Sequence, residues 1–138
     1  MDFLVSDGFR TAIHVVGRVL FSMMFIMSGM NHLMKLNDTS AYAKSKGVPA
    51  PKALTVVSGL MIMVGGVLVL LGWHRFIGAG LIAIFLFLTA MIMHAFWKET
   101  DPAARMNEMA HFMKDLAMAG AALLIAFYSR TVWPMSLG

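Results

Sequence analysis

The sequence contains no cysteine in its 138 residues, and only 13% of the residues are charged. The absence of cysteine excludes disulfides, thiol exchange by this chain and thiolate metal ligands. The scarcity of charge excludes a water-soluble globule, because a soluble domain of this length carries about a quarter charged residues. What remains is apolar: 59% of the residues are hydrophobic, and the mean hydropathy is +0.77.

Four apolar stretches have the length that crosses a bilayer, about 20 residues each. They lie at about 11–34, 53–73, 76–97 and 112–133. The sequence therefore predicts an all-α fold, an integral membrane four-helix transmembrane bundle, as a single domain over residues 1–138. Asp38-Thr39-Ser40 supplies N-cap side chains for a short interfacial helix between the first two spans. Thr100-Asp101-Pro102 predicts the start of the last helix, which continues to about Ser129.

The net charge of +4 and the pI near 9.8 are explained by membrane topology rather than by nucleic-acid binding. Four spans place both termini on one side of the membrane. The first and third loops carry seven cations, and the terminal side carries four. The seven are Lys35, Lys44, Lys46, Lys52, Lys98, Arg105 and Lys114, and the four are Arg10, Arg18, Arg75 and Arg130. The positive-inside rule then predicts that the longer loops are cytoplasmic and the termini outside.

Polar residues gather at the ends of three predicted spans, and ionisable groups at membrane depth are candidate functional groups because they are costly there. Antiparallel spans bring these ends to one level, where Glu108 also opens the last helix. The candidate ligand residues at that level are Asn31, His32, Lys35, His94, Trp97, Lys98, His111, Lys114 and Asp115. Arg18 lies inside the first span toward the other end. It either extends to the interface, pairs with a backbone carbonyl, or contacts an anion or ligand.

Three interpretations of the polar level compete. The first is a quinone or other head-group site, in which His and Lys donate hydrogen bonds and His111 with Asp115 relays a proton. The second is metal or b-haem ligation by His32, His94 or His111. The third is an interfacial belt that only satisfies helix ends and lipid head groups. No metal site is predicted, since a di-iron bundle needs two Glu-x-x-His copies and Glu108–His111 is a single one. No catalytic residue can be assigned.

Several motifs occur in a characteristic order between about residues 15 and 128. Arg18 is followed by an apolar run to Ser28-Gly29, and then by Lys35. Gly65-Gly66 opens an apolar stretch that ends at Gly72. The later motifs are His94-Ala95-Phe96-Trp97, Asp101-Pro102 and the segment from Phe112 to Gly120. In this order and spacing the chain resembles the DoxX family of small four-helix membrane proteins.

The resemblance implies an inner (cytoplasmic) membrane protein that works beside redox enzymes. Relatives are described as subunits of a thiosulfate:quinone oxidoreductase or as partners of thiol- and superoxide-handling enzymes. The implied function is an accessory subunit that binds a quinone or a partner enzyme at the polar helix ends and is not catalytic alone. Its partners would be the lipid bilayer and other membrane or membrane-associated subunits. The alternative is a purely structural subunit, packed in a larger membrane complex, with no ligand of its own.

Two departures from the family pattern bear on this function. Many relatives carry an acidic residue just before the double glycine, where this chain has Ile62 and Met63. The second span therefore lacks a group for proton transfer at that point. Many relatives also have Lys-Asn where this chain has Lys114-Asp115.

Overall fold

The computed structural model describes residues 7–138, and within that range the protein is helical with no β-strand. The helices are α1 (Asp7–Met34), α2 (Leu36–Ser45), α3 (Pro51–Leu71), α4 (Arg75–Met93) and α5 (Pro102–Phe127). One-turn 3-10 helices follow α4 and α5, at Phe96–Lys98 and Tyr128–Arg130. The predicted all-α fold is confirmed. Residues 1–6, whose side of the membrane was part of the topology prediction, lie outside the described residues.

Four segments of the described chain are long and apolar enough to cross a membrane, namely Asp7–Met34, Pro51–Leu71, Arg75–Lys98 and Pro102–Arg130. The 21 residues of α3 extend about 31 Å, which matches a hydrocarbon core about 30 Å thick. In the most apolar part of each segment at most a third of the residues are buried inside the chain. Because the remaining surface is apolar, these helices require lipid around them.

Helix α5 begins where its local signals predict. The Asp101 carboxylate accepts a hydrogen bond from the Ala104 backbone N–H at 2.8 Å, and Pro102 occupies the first helical position. The α-helical part ends at Phe127, so the last residues of the stretch predicted at 112–133 lie in the 3-10 turn and the segment after it.

Two other helix ends differ from the local prediction. The predicted N-caps of α2 are wrong: the helix begins at Leu36, and the Ser40 hydroxyl donates backward to the Asn37 carbonyl at 3.1 Å. Helix α4 ends at Met93, and the His94 N–H bonds the Thr89 carbonyl at 3.3 Å, one residue beyond α-helical spacing. His94 therefore does not share a helix face with Lys98.

The helices approach one another closely at glycines. Helix α1 packs on α3, α3 on α4, and α4 on α5, while α2 lies against α3. A Cβ atom on Gly29 would lie 2.5 Å from the Gly59 carbonyl oxygen, and one on Gly65 would lie 2.8 Å from the Gly78 carbonyl oxygen. The second contact is near the short turn between α3 and α4. The candidate site lies between the other halves of these two helices, away from this contact.

Candidate functional site

A groove of about 510 Å³ separates the first half of α3 from the last half of α4. Helices α1, α2 and α5 complete its walls. Its volume falls in the usual range for small-molecule pockets, about 300–1,000 Å³. The polar side chains with charged or titratable groups that line it are His32, Tyr42, His94, Lys114 and Asp115. Most of the remaining lining is apolar, including Met24, Phe25, Val57, Met61, Ile84, Leu88 and Ile92.

The apolar part of the groove opens sideways toward lipid. Val57 on α3 is 58% exposed, and Ile84 on α4 is 57% exposed, although both line the groove. The charged and titratable residues come from the end of α1, from α2, from the residue after α4 and from the adjacent part of α5. The groove therefore joins a polar end at loop level to an apolar opening at membrane depth.

His94 is the centre of the polar end. Its Nδ1 lies 2.7 Å from the Glu108 Oε2 atom, and its ring stacks on the His111 ring with centroids 5.0 Å apart. Because a carboxylate can only accept, the His94 Nδ1–H is the donor of this bond. In a neutral imidazole the Nε2 atom is then a hydrogen-bond acceptor, whereas in an imidazolium it is a second donor. It lies 3.7 Å from the Asp115 Oδ2 atom, too far for a direct hydrogen bond.

A lysine on the segment after α2 holds Glu108 in place. The Lys46 Nζ atom donates to Glu108 Oε1 at 2.9 Å and to Glu99 Oε1 at 3.1 Å. The hydrogen bond to Glu108 is the main reason that the pKa of Lys46 is raised above its usual value. Burial raises the pKa of the nearby Tyr42 hydroxyl. The ion pairs connect α2 to α5 across the polar end, and they compensate the charge of a carboxylate that is only 9% exposed.

Asp115 is the most buried carboxylate of the described chain, with 3% of its surface exposed. Its Oδ1 atom is 3.6 Å from the Lys114 Nζ atom. Its buried Oδ2 atom has no hydrogen-bond partner among the described residues. A buried acceptor without a donor costs about 1–3 kcal/mol. Since Asp115 lines the groove, a ligand in the groove can supply that donor.

The structure brings five of the predicted site residues together and separates the others. His94, His111, Lys114 and Asp115 form one cluster, and His32 lines the same groove with its Nδ1 atom 2.8 Å from the Ser28 carbonyl oxygen. The remaining predicted residues at this level, Asn31, Lys35, Trp97 and Lys98, are exposed and do not line the groove. The Trp97 ring packs on Phe96 and Phe112.

Arg18 lies at the opposite end of the bundle and takes no part in the groove. It is 8% exposed, and its guanidinium donates to the Pro134 carbonyl at 3.1 Å and to the Met135 carbonyl at 2.8 Å. Its guanidinium therefore pairs with backbone carbonyls, and a ligand contact of Arg18 stays a prediction.

Sequence reasoning placed Glu108 at the polar level but not among the ligand residues, and it missed Lys46 as a site residue. Glu108 could have been found, because it lies seven residues before Asp115 and two helical turns bring both to one face. Lys46 gives no such signal, since Glu108 is 62 residues away. No group of three or more His, Asp or Glu side chains within residues 7–138 is placed to hold a metal ion.

The model of the DoxX family matches residues 13–95, which is more than half of the chain. The chain belongs to the DoxX family. The match includes His32 and His94 of the groove, and it ends before α5, which supplies the remaining acidic and basic groups of the DoxX groove. Comparison with curated proteins gives no match, and comparison with solved structures gives none either.

Proposed function

We propose that this DoxX protein is an accessory subunit of a membrane redox system and binds a quinone in the groove between α3 and α4. The observation that carries the proposal is the shape of the groove, which has His94 and Asp115 at its polar end and an apolar opening to lipid. A quinone has the same two parts, a ring with polar oxygens and a hydrocarbon tail. The ring would lie at loop level and the tail would leave between Val57 and Ile84.

The chemistry of the groove supports binding and proton exchange rather than electron transfer. His94 and Asp115 line the groove and can hold ring oxygens and exchange protons with them, and the His111 ring stacks behind His94. The electrons that reduce or oxidise the ring would come from a partner enzyme, docked at the same membrane face. The inner (cytoplasmic) membrane is the proposed location, because that is where quinone-linked enzymes of this kind work.

The test is purification of the full chain from its native membrane into nanodiscs, followed by mass spectrometry of extracted small molecules. We expect a quinone near one per chain in the wild type and at least about a tenfold loss in His94→Ala, because one of the two groups at the ring is removed. His74→Asn is the matched control, since His74 lies in the turn at the other end of the bundle.

Two results would reject quinone binding. One is equal quinone content in wild type, His94→Ala and the control, which would mean that the quinone dissolves in the surrounding lipid. The other is a stoichiometric partner protein without any retained quinone. That second result would favour a purely structural subunit.

A further inference from the structure

The Nε2 atom of His94 and the Oδ2 atom of Asp115 lie 3.7 Å apart at the polar end of the groove. Both are hydrogen-bond acceptors when His94 carries its single proton on Nδ1 and Asp115 is ionised. We infer that the groove binds the hydroquinone form of its ligand, whose ring carries hydroxyl donors, more tightly than the oxidised quinone. This inference rests on the proposed function and adds to it the oxidation state that the site selects.

The acceptor character of His94 is imposed by residues outside the groove. Glu108 accepts the hydrogen bond from Nδ1 at 2.7 Å, and Lys46, bound to the other oxygen of Glu108 at 2.9 Å, keeps that carboxylate ionised. With the ring proton held on Nδ1, the neutral imidazole presents Nε2 as an acceptor. Lys46 and Glu108 are therefore positioning residues for the ligand's oxidation state.

The second acceptor is the Oδ2 atom of Asp115. Asp115 Oδ2 is buried and has no hydrogen-bond partner among residues 7–138. A ring hydroxyl entering the gap donates its proton to one of the two acceptors. A quinone carbonyl entering the same gap adds a third acceptor and satisfies neither. The hydroquinone gains a hydrogen bond to a charged or polarised acceptor, and the quinone does not.

Other polar groups along the groove do not reverse this preference. The Lys114 ammonium is 3.4 Å from His111 Nδ1 and 3.6 Å from the other Asp115 oxygen, and its side chain is 47% exposed, so it lies at the outer edge. His32 donates its Nδ1–H to the Ser28 carbonyl at 2.8 Å. A hydroxyl both donates and accepts and so serves either form of the ring, and the residues with hydroxyl groups in the lining are Ser28, Thr39, Tyr42, Thr55, Ser58 and Thr89.

The binding experiment uses the full chain in phosphatidylcholine nanodiscs under anaerobic conditions, with decylubiquinone and decylubiquinol as probes and calorimetry as readout. We expect decylubiquinol to bind about tenfold more tightly. Asp115→Asn should reduce the ratio of the two affinities to below about threefold, because its amide can donate to a carbonyl. Asp38→Asn is the matched control and should keep the wild-type ratio, since Asp38 is exposed on α2 and outside the groove.

The outcomes separate this inference from the proposed function. Equal affinity for both probes, or tighter binding of decylubiquinone, overturns the inference and leaves the quinone site standing. Binding of neither probe overturns both.

A measurement on the ligand-free protein tests the positioning residues directly. Nitrogen-15 NMR of histidine-labelled protein, with His94→Ala to assign the signal, should show His94 protonated at Nδ1 and bare at Nε2. Lys46→Met or Glu108→Gln should shift the population toward the other tautomer, and Lys46→Arg should restore it. A wild-type His94 protonated at Nε2 would overturn the inference, whatever the variants do.

Discussion

Arg18 shows what a single buried cation does at the end of the bundle opposite the groove. Its two hydrogen bonds to the Pro134 and Met135 carbonyls hold the segment after α5 against the end of α3, where the Leu137 N–H bonds the Leu71 carbonyl at 3.0 Å. Arg18→Met keeps an apolar stem but removes both donors. We expect the Leu137 amide to exchange at least about tenfold faster, since losing such bonds costs about 1–3 kcal/mol. Hydrogen exchange with mass spectrometry of the last residues measures this.

Arg10→Met is the control for Arg18→Met, because Arg10 is exposed on the same helix and makes no such contact with residues 131–138. Its exchange profile over these residues should match the wild type. If Arg18→Met also matched the wild type, other contacts would hold the segment, such as the Leu137–Leu71 backbone bond and the Arg75 bond to the Thr131 carbonyl.

At the scale of the element, the contact between α3 and α4 depends on the absence of a side chain. In Gly65→Ala the new Cβ would lie 2.8 Å from the Gly78 carbonyl oxygen, and backbone cannot move aside as a flexible side chain can. We expect a loss of about 1–3 kcal/mol in the free energy of unfolding. Gly80→Ala on α4 is the control, since nothing lies within 4 Å of its Cβ position and alanine favours helix by about 1 kcal/mol. The midpoint of unfolding in SDS titrations measures the loss. If Gly65→Ala had the same midpoint as the wild type, the close contact would not be required.

Helix ends differ in how far sequence can predict them. The start of α5 was predicted because Asp101 and Pro102 act within a single turn, and the structure confirms the cap. The end of α4 was not predicted, because no proline or glycine marks it. The chain leaves the helix at His94, whose ring bonds Glu108 on α5. A partner 14 residues away on another element is invisible to helical periodicity.

At the scale of the whole molecule, antiparallel topology was enough to predict that His32, His94 and His111 lie at one level. The groove itself was not predicted, because its apolar half exists only where α3 and α4 diverge from their contact at Gly65 and Gly78. Polar residues at span ends thus indicate the depth of a site, while the shape of the site follows from packing.

The orientation of the whole bundle in the membrane is a prediction from its cations, and the absence of cysteine makes it simple to test. Seven Lys and Arg residues on the side of the groove against four on the other predict that the groove's polar end faces the cytoplasm. Ser45→Cys and Val132→Cys place single exposed thiols on the two sides without changing charge. A membrane-impermeant maleimide added to intact spheroplasts should label Val132→Cys, and it should label Ser45→Cys only after permeabilisation. The reverse pattern would put the polar end outside, and a partner enzyme would then have to reach the groove from that side.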